Sequence, residues 1–126
     1  MIKLSREQVE YLYRLIAKET GGAVGIRDEI LLDSALASIS QTFDGKELYP
    51  TIEEKGARLG FNLISNHAFI DGNKRIGMLV MLTFLEVNGL RIECTDEDII
   101  EVALGVASGK TIYKGLLDWV RKYISI

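Results

Sequence analysis

Residues 73–87 read Asn-Lys-Arg-Ile-Gly-Met-Leu-Val-Met-Leu-Thr-Phe-Leu-Glu-Val, and Asn88-Gly89 follows. From Ile76 onward the segment is apolar on almost every side of a helix instead of along one stripe, which assigns it to a protein interior. The continuous apolar run, Ile76 to Leu85, contains Gly77 and Thr83 and is about half of the ~20 residues that a bilayer span needs. A buried helix of this kind must be wrapped by other elements, so the flanking sequence has to supply them.

Working toward the N-terminus, Asn66 to Gly72 breaks the periodicity. Before it, Thr51 and Glu54 form a capping box that opens a helix through about Ser65, with Ile52, Leu59 and Leu63 on one face. Gly56 and Gly60 weaken that helix by about 1 kcal/mol each relative to Ala, and their spacing of four would let a second helix approach closely. Thr42 to Pro50 is polar and turn-rich, the longest candidate loop, with room for a small hairpin. Asp28 can cap a helix reaching about Ser40 that carries Ile30, Leu31, Leu32, Leu36 and Ile39. Ser5 and Gln8 make a capping box for a first helix with Val9, Leu12, Tyr13 and Ile16 at helical spacing, stopped by Gly21-Gly22.

Toward the C-terminus, Leu90 to Cys94 alternates apolar and polar side chains and can be extended, but one such segment cannot build a sheet. Thr95 and Asp98 begin a further helix, with Ile99, Val102, Ala103 and Val106 aligned, that ends near Gly109. Thr111 can cap a last helix aligning Tyr113, Leu116, Val120 and Ile124. The expected fold is all-α: a single domain over residues 1–126, a compact bundle of about six helices around a buried central helix, with no internal repeat.

The bulk numbers agree with one folded domain, since 126 residues that are 48% hydrophobic and 26% charged, with one Pro, do not describe a disordered chain. A formal net charge of -3 argues against a broad surface for nucleic acid, which needs clustered Lys and Arg, so no direct nucleic-acid binding is expected. Cys94 is the single cysteine, and Met1 to Glu7 lacks the apolar core of a secretion signal. The expected compartment is the cytoplasm, without membrane attachment.

Just ahead of the buried helix stand His67, Phe69, Asp71, Gly72, Asn73, Lys74 and Arg75: an imidazole, a carboxylate, a glycine, an amide and two cations within nine residues. Gly72 can turn the chain tightly, aiming the N–H groups of Asn73, Lys74 and Arg75 outward at the positive end of the next helix, a geometry that binds phosphate. Lys74 and Arg75 can neutralise phosphate oxygens, and Asp71 offers the hard oxygen that a phosphate-bound Mg²⁺ prefers. His67, the only histidine, supplies an imidazole, a side chain able to take a proton from an attacking hydroxyl. Phe69 is expected to turn inward and fix the loop. Taken singly, each of these residues also fits a structural role, a lone His at a helix end or a solvated Asn-Lys-Arg turn. Together they favour an anion site, because two cations at a helix N-terminus oppose its dipole unless an anion is present. The residues by themselves lead to an anion site beside a base.

The segment resembles the core motif of the Fic/Doc family, His-x-Phe-x-Asp/Glu-Gly-Asn-Gly/Lys-Arg, at every defined position from His67 to Arg75. Lys74 stands where the AMP-transferring Fic branch has Gly, and Met78 where that branch tends to have a second Arg, so the chain is more similar to the death-on-curing (Doc) branch of toxin–antitoxin pairs. That resemblance implies a protein kinase that uses ATP and Mg²⁺ and phosphorylates a threonine of elongation factor Tu, inhibiting translation. His67 would deprotonate the hydroxyl, Asp71 would hold Mg²⁺, and Gly72, Asn73, Lys74 and Arg75 would bind phosphates. The chain departs from some Doc proteins at Ser65, where they carry an Arg, so a phosphate contact would be missing or supplied by Arg58 or Arg27. The family's target-docking flap corresponds to Thr42–Pro50, making Phe43 and Tyr49 candidate contact residues, although core packing accounts for either equally well. The chain has no match to the internal inhibitory motif Ser/Thr-x-x-x-Glu-Gly/Asn, so restraint would come from an antitoxin whose disordered C-terminal segment folds onto the toxin.

Two other readings use the same residues: an AMP-transferase modifying a protein hydroxyl, and a catalytically silent module that keeps the loop as a phosphate or partner site. A metal-dependent phosphohydrolase is weaker, because one His and one Asp are too few ligands for a catalytic transition-metal centre.

Overall fold

Among residues 1–125, which the computed structural model describes apart from the side chain of Thr20, the chain folds into six α-helices and two small two-stranded antiparallel sheets. The helices are α1 (Arg6–Thr20), α2 (Glu29–Ala37), α3 (Ile52–Ser65), α4 (Asn73–Val87), α5 (Asp96–Ser108) and α6 (Tyr113–Tyr123). Helix α4 is the centre, with Ile76, Gly77, Met78, Val80, Met81, Phe84 and Leu85 all buried. It packs most extensively on α3 and also touches α1 and α5. None of these helices is long and apolar enough to cross a membrane.

The tight α3–α4 pairing follows from glycine. A Cβ on Gly60 would lie 2.9 Å from the Met81 sulfur, and one on Gly56 would lie 2.6 Å from a Leu85 methyl. The spacing of four therefore seats two large α4 side chains, as the sequence suggested. Gly77 answers from the other helix: a Cβ there would sit 2.5 Å from Ile64 Cγ1 and 3.2 Å from the Gly60 carbonyl oxygen. Three glycines thus bring two backbones close enough for their large neighbours to interlock.

Four of the five capping signals, at Ser5, Asp28, Thr51 and Thr95, work as read. Ser5–Gln8, Thr51–Glu54 and Thr95–Asp98 are complete capping boxes, and Asp28 accepts from the Leu31 N–H at 3.0 Å. Helix α2 ends at Ala37 and tightens into a 3₁₀ turn over Ser38–Ser40. The 42–50 loop does contain a hairpin, in which β1 (Thr42–Phe43) pairs with β2 (Lys46–Glu47) across Asp44-Gly45. Both turn residues have positive φ, 52° and 76°, the conformation that an Asp-Gly pair provides in a two-residue hairpin. Its base is tied to α3 by Lys55, whose buried ammonium donates to the Ile39 carbonyl at 3.3 Å, to Glu47 at 2.9 Å and to the Tyr49 carbonyl.

The C-terminal expectations need two corrections. Thr111 does not cap α6; Ile112 occupies the cap position without a side-chain bond, while Thr111 packs against Gly105 and Gly115. Helix α6 stops at Tyr123, and Ile124–Ser125 forms β4, paired antiparallel with β3 (Arg91–Ile92). The extended segment after α4 therefore finds its partner in the chain's tail, an association of residues far apart in sequence that no local pattern encodes. These strands are two residues each, and the fold remains predominantly helical.

Candidate active site

The His67–Arg75 segment lies between the C-terminus of α3 and the N-terminus of α4 and is clamped on both sides. Within it, the Asn73 side chain closes the turn: Oδ1 accepts from the Phe69 N–H and Nδ2 donates to the Phe69 carbonyl, both at 3.0 Å. Phe69 is 1% exposed and stacks on Tyr13 of α1, with ring centroids 4.0 Å apart. The inward position expected for Phe69 is the one observed.

From outside, residues 25–28 grip the same loop. Ile26 and Phe69 form an antiparallel bridge, the Ile70 N–H donates to the Gly25 carbonyl at 3.0 Å, and the N–H groups of Arg27 and Asp28 both donate to the Ala68 carbonyl. Arg27 Nε donates to the His67 carbonyl at 2.7 Å and its Nη2 to the Asn66 carbonyl at 3.2 Å. These bonds hold His67 at a φ of 54°, a left-handed conformation that costs a non-glycine residue about 1 kcal/mol or more. Its side chain is exposed at the surface. Strain of this kind persists where the surroundings over-determine it, and such positions concentrate at functional sites.

Gly72 has a φ of 81° and precedes α4 without any side-chain cap, so the first N–H groups of the helix are left to an outside acceptor. Asp71 Oδ1 accepts from the Gly72 N–H at 2.8 Å. His67, Asp71, Gly72, Asn73, Lys74 and Arg75 all line one cavity of about 690 Å³. Within the cavity the Asn73 amide is committed to Phe69, so what Asn73 offers an anion is its backbone N–H. Lys74 and Arg75 are exposed and carry the positive charge. Beyond this first turn the wall becomes apolar, with Met78, Leu79 and Leu82 of α4 facing Ile99, Ile100 and Ala103 of α5.

No group of three His, Cys, Asp or Glu side chains able to hold a metal occurs among the described residues. The exposed Asp71 carboxylate fits Mg²⁺ in another way, because that ion commonly takes one or two carboxylates, with waters and substrate phosphates completing its shell.

Neither arginine considered as a substitute at Ser65 projects into the cavity as a phosphate ligand. Arg27 holds the loop backbone. Arg58 lies 3.9 Å above the Tyr113 ring and 5.0 Å from that of Tyr49, outside the cavity lining. Tyr113 donates to the Glu54 carbonyl at 3.1 Å, and burial followed by the nearby Glu54 charge pushes its phenol up to about 12. Of the two flap candidates, Tyr49 packs edge-on against Tyr113, a structural position, whereas Phe43 is 75% exposed. Neither lines the cavity.

Sequence reasoning missed Tyr13. It reads there as an ordinary apolar-face residue of α1, yet its hydroxyl donates to the Asp71 carbonyl at 3.0 Å and it lines the cavity. The apolar contribution of α5 was likewise invisible, because a helix face gives no sign of whether it meets a core or borders a cleft.

A sequence model of the Fic/DOC family matches residues 3–85 of the chain. Over 72 residues the chain is 42% identical to a protein of Mycolicibacterium smegmatis named Toxin Doc. The aligned stretch is 57% of this chain and 55% of that toxin, so the chain spans about half the length of the relative.

Proposed function

Because the chain belongs to the Fic/DOC family, we propose that it is a Doc-type toxin acting as a protein kinase, moving a phosphate from ATP to a threonine hydroxyl of a translation factor, elongation factor Tu, and so arresting translation. The observation that carries the reading is the convergence, in one cavity, of an imidazole, a carboxylate and an uncapped helix N-terminus bearing two cations.

Phosphoryl transfer demands little covalent work from a protein; positioning and charge neutralisation supply most of it. The α4 N–H groups with Lys74 and Arg75 receive the phosphate chain. His67 accepts the proton as the threonine oxygen bonds to the γ-phosphorus; the bond from that phosphorus to the bridging oxygen breaks, and ADP leaves. Mg²⁺ bound through Asp71 would neutralise charge on the phosphate oxygens.

Two features favour γ-transfer over AMP transfer. Lys74 fills the position that is Gly in the AMP-transferring branch, and Met78, one turn deeper, is buried and uncharged where that branch tends to have a cation. Past the mouth, the apolar wall offers no charge to a phosphate placed further in. The partner implied by the toxin reading is an antitoxin whose disordered C-terminal segment folds onto this chain. Incubating the protein with the translation factor and ATP labelled at either the α or the γ position tests the reading: γ-label on the factor is expected, whereas α-label would establish AMP transfer instead. Label from neither position, with growth inhibition intact in His67→Ala, would favour a silent binding module.

A further inference from the structure

We infer that Tyr13 is a positioning residue for this site: its hydroxyl sets the orientation of the Asp71–Gly72 peptide and thereby aims the Asp71 carboxylate. The inference rests on the functional reading above only in assigning that carboxylate to Mg²⁺.

The peptide between Asp71 and Gly72 is held at both ends. Its carbonyl accepts from the Tyr13 hydroxyl at 3.0 Å, and its N–H donates to Asp71 Oδ1 at 2.8 Å. Rotating it by half a turn would carry Gly72 from a φ of 81° to a negative value, which glycine adopts as readily. Gly72 therefore has no preference of its own, and the bonds at the two ends decide. In the rotated form Asp71 loses its N–H partner and the carboxylate is free to leave the cavity mouth.

Tyr13 is well placed to prevent this because it is immobile. It is 4% exposed, its ring stacks on Phe69 at 25° between planes, and its hydroxyl also accepts from the Gly25 N–H at 3.4 Å. One side chain of α1 thus joins three parts of the site: the 25–28 segment, the Phe69 anchor and the turn before α4. The hydroxyl's single proton goes to the Asp71 carbonyl while its oxygen takes the Gly25 proton, so the direction of both bonds is fixed.

Tyr13→Phe keeps the ring and removes the hydroxyl. Amide hydrogen exchange at Gly72 is expected to quicken about tenfold, the ratio that one ordinary hydrogen bond supports, with exchange along Val80–Phe84 unchanged. Calorimetry should show ATP binding weakened about tenfold in Mg²⁺ and unchanged in EDTA. Unaltered exchange at Gly72, or an equal loss of affinity with and without metal, would overturn the inference. If the unsubstituted protein itself shows no gain in ATP affinity from Mg²⁺, the functional reading fails, while the Gly72 exchange still decides the clamp.

Discussion

Replacing Asn73 with Ala puts a number on how much of the active loop's shape is built in. The substitution removes two hydrogen bonds to the backbone of Phe69, each 3.0 Å long, and leaves both the N–H and the carbonyl of a residue that is 1% exposed. A buried polar group left without a partner costs about 1–3 kcal/mol. Both bonds are only partly shielded from solvent, so water can recover some of this, and we expect a total of roughly 2–4 kcal/mol. Alanine's better helix propensity returns about half a kcal/mol at most. For a domain of this size that loss corresponds to a fall in Tm of roughly 6–15 °C. Urea unfolding at constant m value, with thermal melting alongside, measures it. Asn73→Asp provides the internal control: a carboxylate can still accept from the Phe69 N–H but faces the Phe69 carbonyl with a second acceptor, so it should be no more stable than Asn73→Ala. A destabilisation below about 0.5 kcal/mol for Asn73→Ala would refute the reasoning, since that is the level of an ordinary surface change. It would mean that the loop keeps its form through residues 25–28 alone.

Three further outcomes follow from the same geometry. His67→Ala and His67→Gly should both abolish transfer, but the glycine variant should be more stable than the alanine one by about 1 kcal/mol, because only glycine is at ease at a φ of 54°; equal stabilities in denaturant would contradict the strain. Gly77→Ala should destabilise by roughly 1–2 kcal/mol, since overpacking against Ile64 and the Gly60 carbonyl outweighs the helix propensity gained, and a stabilised variant in a melting experiment would disprove the close approach of α3 and α4. Tyr113, with its phenol pushed up to about 12, holds its proton more tightly in the folded chain, so the stability it contributes is present below pH 10 and lost as pH rises toward 12. Ultraviolet titration should show one phenol ionising near 12, absent in Tyr113→Phe.

What could be read from the chain alone was whatever is local. Capping boxes at Ser5, Thr51 and Thr95 use residues three apart, and the all-round apolar character of Ile76–Leu85 is a property of one helix, so element types and the central helix were legible. So was the density of reactive groups from His67 to Arg75, because a contiguous loop places its own members together. The strand pairing of the tail is the opposite case. Ile92 and Ile124 are 32 positions apart, and neither carries a sign of the other until the helices between them have packed.

The same division runs through the site. Sequence determined its chemistry, an imidazole and a carboxylate before a cationic helix start. Tertiary structure decided how that chemistry is held and what surrounds it. Asn73, read as a phosphate ligand, turned its side chain to the Phe69 backbone. Arg27 became the grip on the His67 carbonyl, Tyr13 reached Asp71 across 58 positions, and α5 furnished an apolar wall. Hydrogen-bonding groups on a chain can be counted from its residues, but which donor meets which acceptor is fixed only when the backbone brings them within about 3 Å.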